Sequence, residues 1–339
     1  MALLGTRGPS RGTADLAVDG SPSGSLNLRA ATSSFGRVLA VRSFTSEEEH
    51  AFGLAARGGI GRVDIDGVAV LRRAPSAPLL AAGDVAACDS AGDERTADLA
   101  AEMQGPIALL GDLAYPVGSA DNYEDCFDPS WGPLSARTHP VPGNHDYMTP
   151  AASAYFAYFG TLAGDPAKGW YTYNVGTWQV YALNSNCSEV GGCGPTSPQY
   201  RWLTADLTAH PRACVLAYWH HPRFSSGSHG GGAMMASLWK VLAAHGAEVV
   251  VAGHDHDYER FAPADSAGHR VAGGIRGFVV GTGGAPLRTF TKGPLSLTQV
   301  RRDDAWGLLS LKLGVGTYSW RFLEASSGEV LDGGTSTCH

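Results

Sequence analysis

Several common signals are scarce or missing in this chain of 339 residues. No two cysteines form a CxxC pair, which removes the usual thiolate zinc site. No run of Lys and Arg occurs and the formal net charge is −7. Nucleic acid is therefore not expected as a main partner, since its binding uses a basic face. No stretch approaches the ~18–20 apolar residues that cross a bilayer, so no membrane association is expected. Met1 to Ser25 is polar and rich in Gly and Ser, without the apolar core of a signal peptide. Only 17% of the residues are charged, while 45 are glycine, so long loops are expected between elements.

What is present points elsewhere. Six cysteines occur: Cys88, Cys126, Cys187, Cys193, Cys214 and Cys338. Cys187 and Cys193 flank Ser-Glu-Val-Gly-Gly, a loop that a disulfide could close. An even count with this spacing favours an oxidising compartment, hence a secreted or extracellular protein. Export then requires a start that is trimmed or misplaced, or another route.

Residues 1–75 differ from residues 76–339. Short alternating runs, Val38 to Val41 and Val63 to Val70, suggest strands without chemistry. Two readings stand: a small β module, a remnant of a sugar-binding sandwich with possible polysaccharide contact, or a β extension of the main domain. Pro75 and Pro78 mark the boundary.

From residue 78 short apolar runs alternate with helical stretches. The runs are Leu79 to Ala82, Ile107 to Leu110, Val180 to Leu183, Val215 to Trp219, Glu248 to Ala252 and Phe278 to Val280, with Val141 at a turn. Helices are expected over Glu94 to Met103, Ala151 to Phe159, Ser197 to Ala209 and Met234 to His245. Leu308 to Glu324 reads as two strands around a Gly-Val-Gly-Thr turn. This alternation predicts an α/β sandwich. Such folds carry their sites at the carboxyl ends of strands.

Five polar clusters follow apolar runs: Gly83-Asp84, Gly111-Asp112-Leu113-Ala114-Tyr115, Gly143-Asn144-His145-Asp146, His220-His221-Pro222 and Gly253-His254-Asp255-His256. Each alone is weak, because a strand-end Asp is more often a cap or turn residue. Together they supply what a two-metal hydrolase needs. Asp, His and Asn suit iron, zinc or manganese. Two such ions, roughly 3.5 Å apart, would clamp a phosphoryl oxygen from both sides. One carboxylate must bridge them, and Asp112 is central in the order. A metal-bound hydroxide would then attack phosphorus in line with the leaving group. Gly281-Thr282-Gly283-Gly284 lacks a following Lys-Ser/Thr and is no nucleotide P-loop; it is expected to let the chain pass close to the metals.

These clusters resemble the calcineurin-like metallophosphoesterase superfamily, and within it the purple acid phosphatases, in a secreted actinobacterial form. Gly253-His254-Asp255-His256-Asp257-Tyr258-Glu259-Arg260 is especially similar. The resemblance covers roughly residues 78 to 325. It implies a four-layer αββα fold: a β-sandwich flanked by helices. It implies that Asp84, Tyr115 and His256 hold one metal, that Asn144, His220 and His254 hold another, and that Asp112 bridges. A Tyr115 phenolate would favour ferric iron with Zn, Mn or Fe beside it. His145 would sit next to the substrate as an acid or a phosphate-binding group, and His229 would help protonate the leaving oxygen. Asp146 would orient His145. Cys88–Cys126 and Cys214–Cys338 are the further disulfides expected beside Cys187–Cys193. The chain departs from the family pattern at Asp84-Val85-Ala86, where Ala replaces glycine, and at Asp146, which replaces Glu.

The implied activity is hydrolysis of small phosphate monoesters. A phosphodiesterase or nucleotidase on the same core is the alternative, followed by a carbohydrate-binding protein with an inactive core. Trp131, Trp170, Trp178, Trp202 and Trp219 read as packing residues. Arg223, Arg260 and Arg288 are open between anion contacts and surface ion pairs.

Overall fold

A computed structural model of the chain describes residues 1–44, 49–57, 62–69, 76–211 and 214–339. Val70 and Pro75, named above, lie outside the described residues. The chain divides into two compact units, Met1–Arg73 and Ala74–His339.

The first unit holds two three-stranded antiparallel sheets. One orders Ser34–Val41, Ala2–Arg7 and Ile65–Ala69; the other orders Ser21–Asn27, Thr13–Val18 and Phe52–Arg57. Alternation explains Thr13–Val18: Ala14 and Leu16 are buried while their neighbours are less so. The unit's core is small, built on Leu3, Leu16, Leu26 and Leu28.

The second unit is built on two larger sheets. Seven strands lie in the order Tyr171–Val175, Trp178–Ala182, Val215–Trp219, Ala247–Ala252, Arg276–Val280, Tyr258–Phe261 and Thr298–Arg302. Six lie in the order Val330–Thr337, Thr317–Glu324, Gly307–Gly314, Ala77–Ala82, Ile107–Leu109 and Thr138–Pro140. Each sheet contains a parallel set, at the centre of the seven-stranded sheet and at one side of the six-stranded one. Trp178–Ala182, Val215–Trp219, Ala247–Ala252 and Arg276–Val280 run together in one. Ala77–Ala82, Ile107–Leu109 and Thr138–Pro140 run together in the other.

Uninterrupted apolar runs form these central strands because both faces are covered. In Val215–Trp219, Leu216 and Tyr218 pack with Leu79 and Leu309 of the other sheet. Val215, Ala217 and Trp219 pack instead with Leu203 and Leu238 from the helices Pro198–Ala209 and Ala236–Ala244. On the far side, Leu80, Ala82, Ile107 and Leu109 pack with residues of Gly92–Glu102 and Ser153–Phe159. The layers are therefore helix, sheet, sheet, helix, as the resemblance implies.

All four expected helices form, each within two residues of the expected limits. Tyr171–Val175, Tyr258–Phe261, Thr298–Arg302 and Val330–Thr337 were not anticipated; they extend the sheets in antiparallel pairing. Thr298–Arg302 reads Thr-Gln-Val-Arg-Arg, too polar to signal a strand. Trp131, Trp170, Trp178 and Trp219 are buried, and Trp202 packs partly buried against the core.

Three disulfides are present: Cys88–Cys126, Cys187–Cys193 and Cys214–Cys338. The last ties the tail to the start of Val215–Trp219 across 124 positions.

Candidate metal centre

Parallel strands carry the five clusters to one edge of the sandwich. Backbone bonds stitch the loops there: Asp84 N–H donates to the Gly111 carbonyl at 3.0 Å, and Gly253 N–H to the His220 carbonyl at 3.0 Å. Gly83 N–H reaches across to Val280 of the other sheet at 2.9 Å. Three side chains leave their strands through left-handed backbone: Asp84 (φ 59°), Asp112 (φ 53°) and His254 (φ 73°). Non-glycine residues rarely adopt this conformation, and it concentrates at functional sites.

The side chains converge in two groups. In the first, the Tyr115 hydroxyl lies 3.0 Å from Asp84 Oδ1, 3.0 Å from His256 Nε2 and 3.4 Å from Asp112 Oδ2. In the second, His220 Nε2 lies 3.1 Å from Asn144 Oδ1, 3.1 Å from Asp112 Oδ2 and 3.2 Å from His254 Nδ1. Asp112 Oδ2 belongs to both. All seven residues are thus brought together.

The donor set suits cations. His220 Nδ1 lies 2.8 Å from the Leu110 carbonyl, and His256 Nδ1 2.8 Å from the Pro286 carbonyl. A carbonyl only accepts, so each Nδ1 carries the proton and each Nε2 presents a lone pair. The bare His220 Nε2 then faces two oxygens and a third imidazole. Only a proton or a cation relieves that arrangement. Burial lowers the His220 pKa, yet the charge of Asp112 lifts it to about 9. Asp84 moves the other way: burial would raise it, but His256 and the other imidazoles hold it below the usual carboxylate range. Burial, Asp84 and Asp112 push the Tyr115 phenol well above its ordinary value. A metal cation would reverse that direction. Asp84, Asp112 and His220 offer atoms within 4.8 Å of one another, as do His220, His221 and His254. The residues fit a pair of ions.

Glycines make the close approach possible. A Cβ on Gly143 would sit 2.1 Å from Asp112 Oδ1, and one on Gly253 would sit 2.6 Å from Asp84 Oδ2. Gly281 passes equally near, its added Cβ falling 2.8 Å from Asp84 Oδ2, as expected of the Gly281 to Gly284 run.

The role expected of Asp146 is corrected. Its carboxylate does not orient the His145 ring. It accepts from the backbone N–H of Asp112 at 3.0 Å and of Gly143 at 2.8 Å, and from the Tyr123 hydroxyl at 2.6 Å. The His145 ring is instead fixed by the Pro116 carbonyl, 2.5 Å from Nδ1. His145 N–H donates to Asp112 Oδ1 at 2.7 Å, and Nε2 stands 3.9 Å from Asp112 Oδ2.

The His229 ring lies tilted against that of His254, with centroids 4.5 Å apart. Its loop is held by Asp255, which accepts from His229 N–H at 2.7 Å and from the Ser225 hydroxyl. In the His-Asp-His stretch the ligand candidates turn to the centre while Asp255 between them takes this loop. The sequence offered no separate sign of that role. Arg288 Nη1 lies 2.6 Å from His229 Nε2; burial and Arg288 lower the His229 pKa. Arg260 pairs with Asp332 at 2.6 Å, and Arg223 caps the Ser266 carbonyl at 2.7 Å. Only Arg288 of the three meets a candidate site residue. His221 is joined to Ser185, 2.9 Å from its Nδ1.

Asp257 is 1% exposed, and neither carboxylate oxygen has a hydrogen-bond partner among the described residues. Burial, Asp255 and Glu259 raise its pKa to about 9. An unfolded aspartate titrates near ~3.9. Between those values the folded chain keeps a proton that the unfolded chain releases, so stability falls as pH rises. Asp257→Asn is expected to flatten that fall in the metal-free protein by roughly 4 kcal/mol between pH 5 and 8. Urea midpoints across that range check it; an unaltered pH slope would mean that Asp257 ionises as freely when folded.

Residues 77–258 match the calcineurin-like phosphoesterase family, and the chain belongs to that family. Purple acid phosphatase 15 of Arabidopsis thaliana is 26% identical over 191 residues, 45% of this chain and 35% of that protein. Tartrate-resistant acid phosphatase type 5 of Rattus norvegicus is 23% identical over 248 residues, 65% of this chain and 75% of that protein. Among solved structures, purple acid phosphatase PPD1 from yellow lupin (Lupinus luteus) seeds aligns with a TM-score of 0.70 at 16% identity, over 85% of this chain and 59% of that one. That similarity shows the mixed α/β fold. The chain spans little more than a third of the length of several curated relatives that it matches.

Proposed function

We propose that this protein hydrolyses small phosphate monoesters at a two-metal centre. Asp84, Tyr115 and His256 would hold one ion, Asn144, His220 and His254 the other, with Asp112 shared. One observation carries this reading: Asp112 Oδ2 stands 3.4 Å from the Tyr115 hydroxyl and 3.1 Å from His220 Nε2, between the two donor groups. When bound, such a pair supplies Lewis-acid polarisation of the phosphoryl group and activation of water. The Tyr115 oxygen suits ferric iron, with Zn, Mn or Fe at the second position.

The chain's own residues do the rest. His145, with Nδ1 held by the Pro116 carbonyl, binds a phosphoryl oxygen through Nε2–H beside Asp112 as the imidazolium. Arg288 adds a fixed positive charge on the same side as His229. His229 gives a proton to the leaving oxygen; its lowered pKa confines the charged form to acidic solution. The names of the plant and rat relatives support the phosphatase reading. Three disulfides support an extracellular setting. No helix among the described residues is long and apolar enough to cross a membrane. Polysaccharide contact gains no support: the open cleft on the first unit, lined by Asp15, Leu16, Pro22, Leu54 and Arg57 among others, carries no aromatic ring for a sugar to stack on.

Elemental analysis with parallel assays of an aryl phosphate and its bis-aryl diester tests the reading. Two metals per chain and faster monoester turnover are expected, with a violet absorption if Tyr115 binds ferric iron. Faster diester turnover would favour the phosphodiesterase alternative. A protein that neither retains nor regains metal would overturn the hydrolase.

A further inference from the structure

Beside the His220 and His254 end of the centre lies a cleft of about 450 Å³, walled by Asn144, Tyr147, Ser185, Asn186, Glu189 and His221. Small-molecule sites run from about 300 to 1,000 Å³, so a modest organic group fits. Two of its walls belong to the centre itself. Asn144 is a candidate ligand, and the His221 ring lies 4.5 Å from that of His254.

The charge of this wall is unusual for a site that must bind an anion. No Lys or Arg is among the described residues lining it. His221 is turned to the Ser185 hydroxyl, 2.9 Å from its Nδ1. Ser185, Asn186 and Tyr147 offer uncharged hydrogen-bonding groups. Glu189 is the one formal charge, exposed at the rim. No cation pairs with it among the described residues; its recorded side-chain bond is from the Ser188 hydroxyl at 3.2 Å. The loop that presents it is closed by Cys187–Cys193 and by Gly192 N–H to the Cys187 carbonyl at 2.8 Å. Its backbone is held again by Glu189 N–H to the Asn186 carbonyl at 3.0 Å. The backbone that presents Glu189 is therefore fixed, which holds its carboxylate at the rim of the cleft. The positive side chains near the centre, Arg288 at His229 and Lys292 at Ser228, do not line this cleft.

We propose that this cleft receives the alcohol portion of the ester, and that Glu189 makes it select small hydroxylated or amine-bearing alcohols over those carrying a second anionic group. The inference rests on the phosphoesterase function proposed above. The phosphoryl group stays with the metal ligands, His145 and Arg288. The alcohol extends past Asn144 and His221 to the neutral and acidic wall. A carboxylate or second phosphate there would face Glu189 without a counter-charge, whereas an ammonium would be attracted. Because Glu189 is exposed, water and salt weaken the effect to a modest factor.

The test uses the metal-loaded protein, Glu189→Gln and Glu189→Lys, with four substrates. An aryl phosphate is the reference; 2-aminoethyl phosphate, glycerol phosphate and a phosphorylated hydroxy acid probe the charge. The unaltered protein is expected to prefer the aminoethyl ester to the phosphorylated acid in kcat/KM. Glu189→Lys should shift that ratio toward the acid by about tenfold, and Glu189→Gln by about threefold, through KM. Rising salt should shrink both shifts. A ratio identical in all three proteins, with the aryl phosphate still cleaved, overturns the assignment of the cleft. Turnover of none of the four overturns the phosphoesterase function, and this inference with it.

Discussion

Asp112→Asn is expected to lower phosphoester turnover by about 10³-fold or more and to reduce the bound metal from two ions per chain to one or none. The side chain is 1% exposed and meets both donor groups. Its Oδ1 accepts the His145 N–H at 2.7 Å, which an amide oxygen can still do. What the amide cannot do is carry the negative charge that two neighbouring cations need. The fold should persist, because the loop is pinned from beneath by Asp146 through the Asp112 and Gly143 amides. Initial rates, elemental analysis and a thermal melt distinguish these effects. Undiminished rate with full metal content would exclude Asp112 as the shared ligand. A collapse of the melt would mean that the residue serves folding first.

Gly143→Ala tests the supporting shell. The added Cβ would lie 2.1 Å from Asp112 Oδ1 and 2.4 Å from the Asp112 amide nitrogen. The first is a carboxylate oxygen held by the His145 N–H and the second is backbone, so the two loops must part. Parting them breaks the Gly143 N–H bond to Asp146, which is fully buried. Overpacking of this kind costs on the order of 3 kcal/mol. The metal-free protein should lose about that much in urea, and Asn144 should be carried away from His220. Metal retention should fall with it, even though no ligand is altered. If stability and metal content both match the unaltered protein, the close approach of these loops is not what positions the centre.

The sequence exposed the candidate ligands more clearly than their supports. Asp84, Asp112, Asn144, His220 and His254 each follow an apolar run, and parallel pairing brings such strand ends together. Glycines beside them marked where the backbone closes. Asp146 misled for a physical reason: adjacency to His145 suggested a partner for its ring. The short helical turn over Asp146–Met148 buries the carboxylate under two loops instead. Asp257 gave no sign of its burial, which arises from the Ser225 to Gly230 loop; a Cβ on Gly227 would meet it at 2.5 Å. The edge strand Thr298–Arg302 pairs by backbone, which polar side chains do not advertise. Of the disulfides, only Cys187–Cys193 was visible from spacing. Cys88–Cys126 and Cys214–Cys338 span 38 and 124 positions, a range at which separation carries no pairing information.

The left-handed bends at Asp84, Asp112 and His254 bear on how the protein acquires its ions. Each bend is made within the polypeptide, by Asp84 N–H to Gly111, Asp112 N–H to Asp146 and His254 N–H to Asp84. The conformational cost of such backbone is met during folding. An arriving cation would therefore meet these candidate donors already gathered, and its loading is expected to be limited by shedding its own water rather than by rearranging the chain.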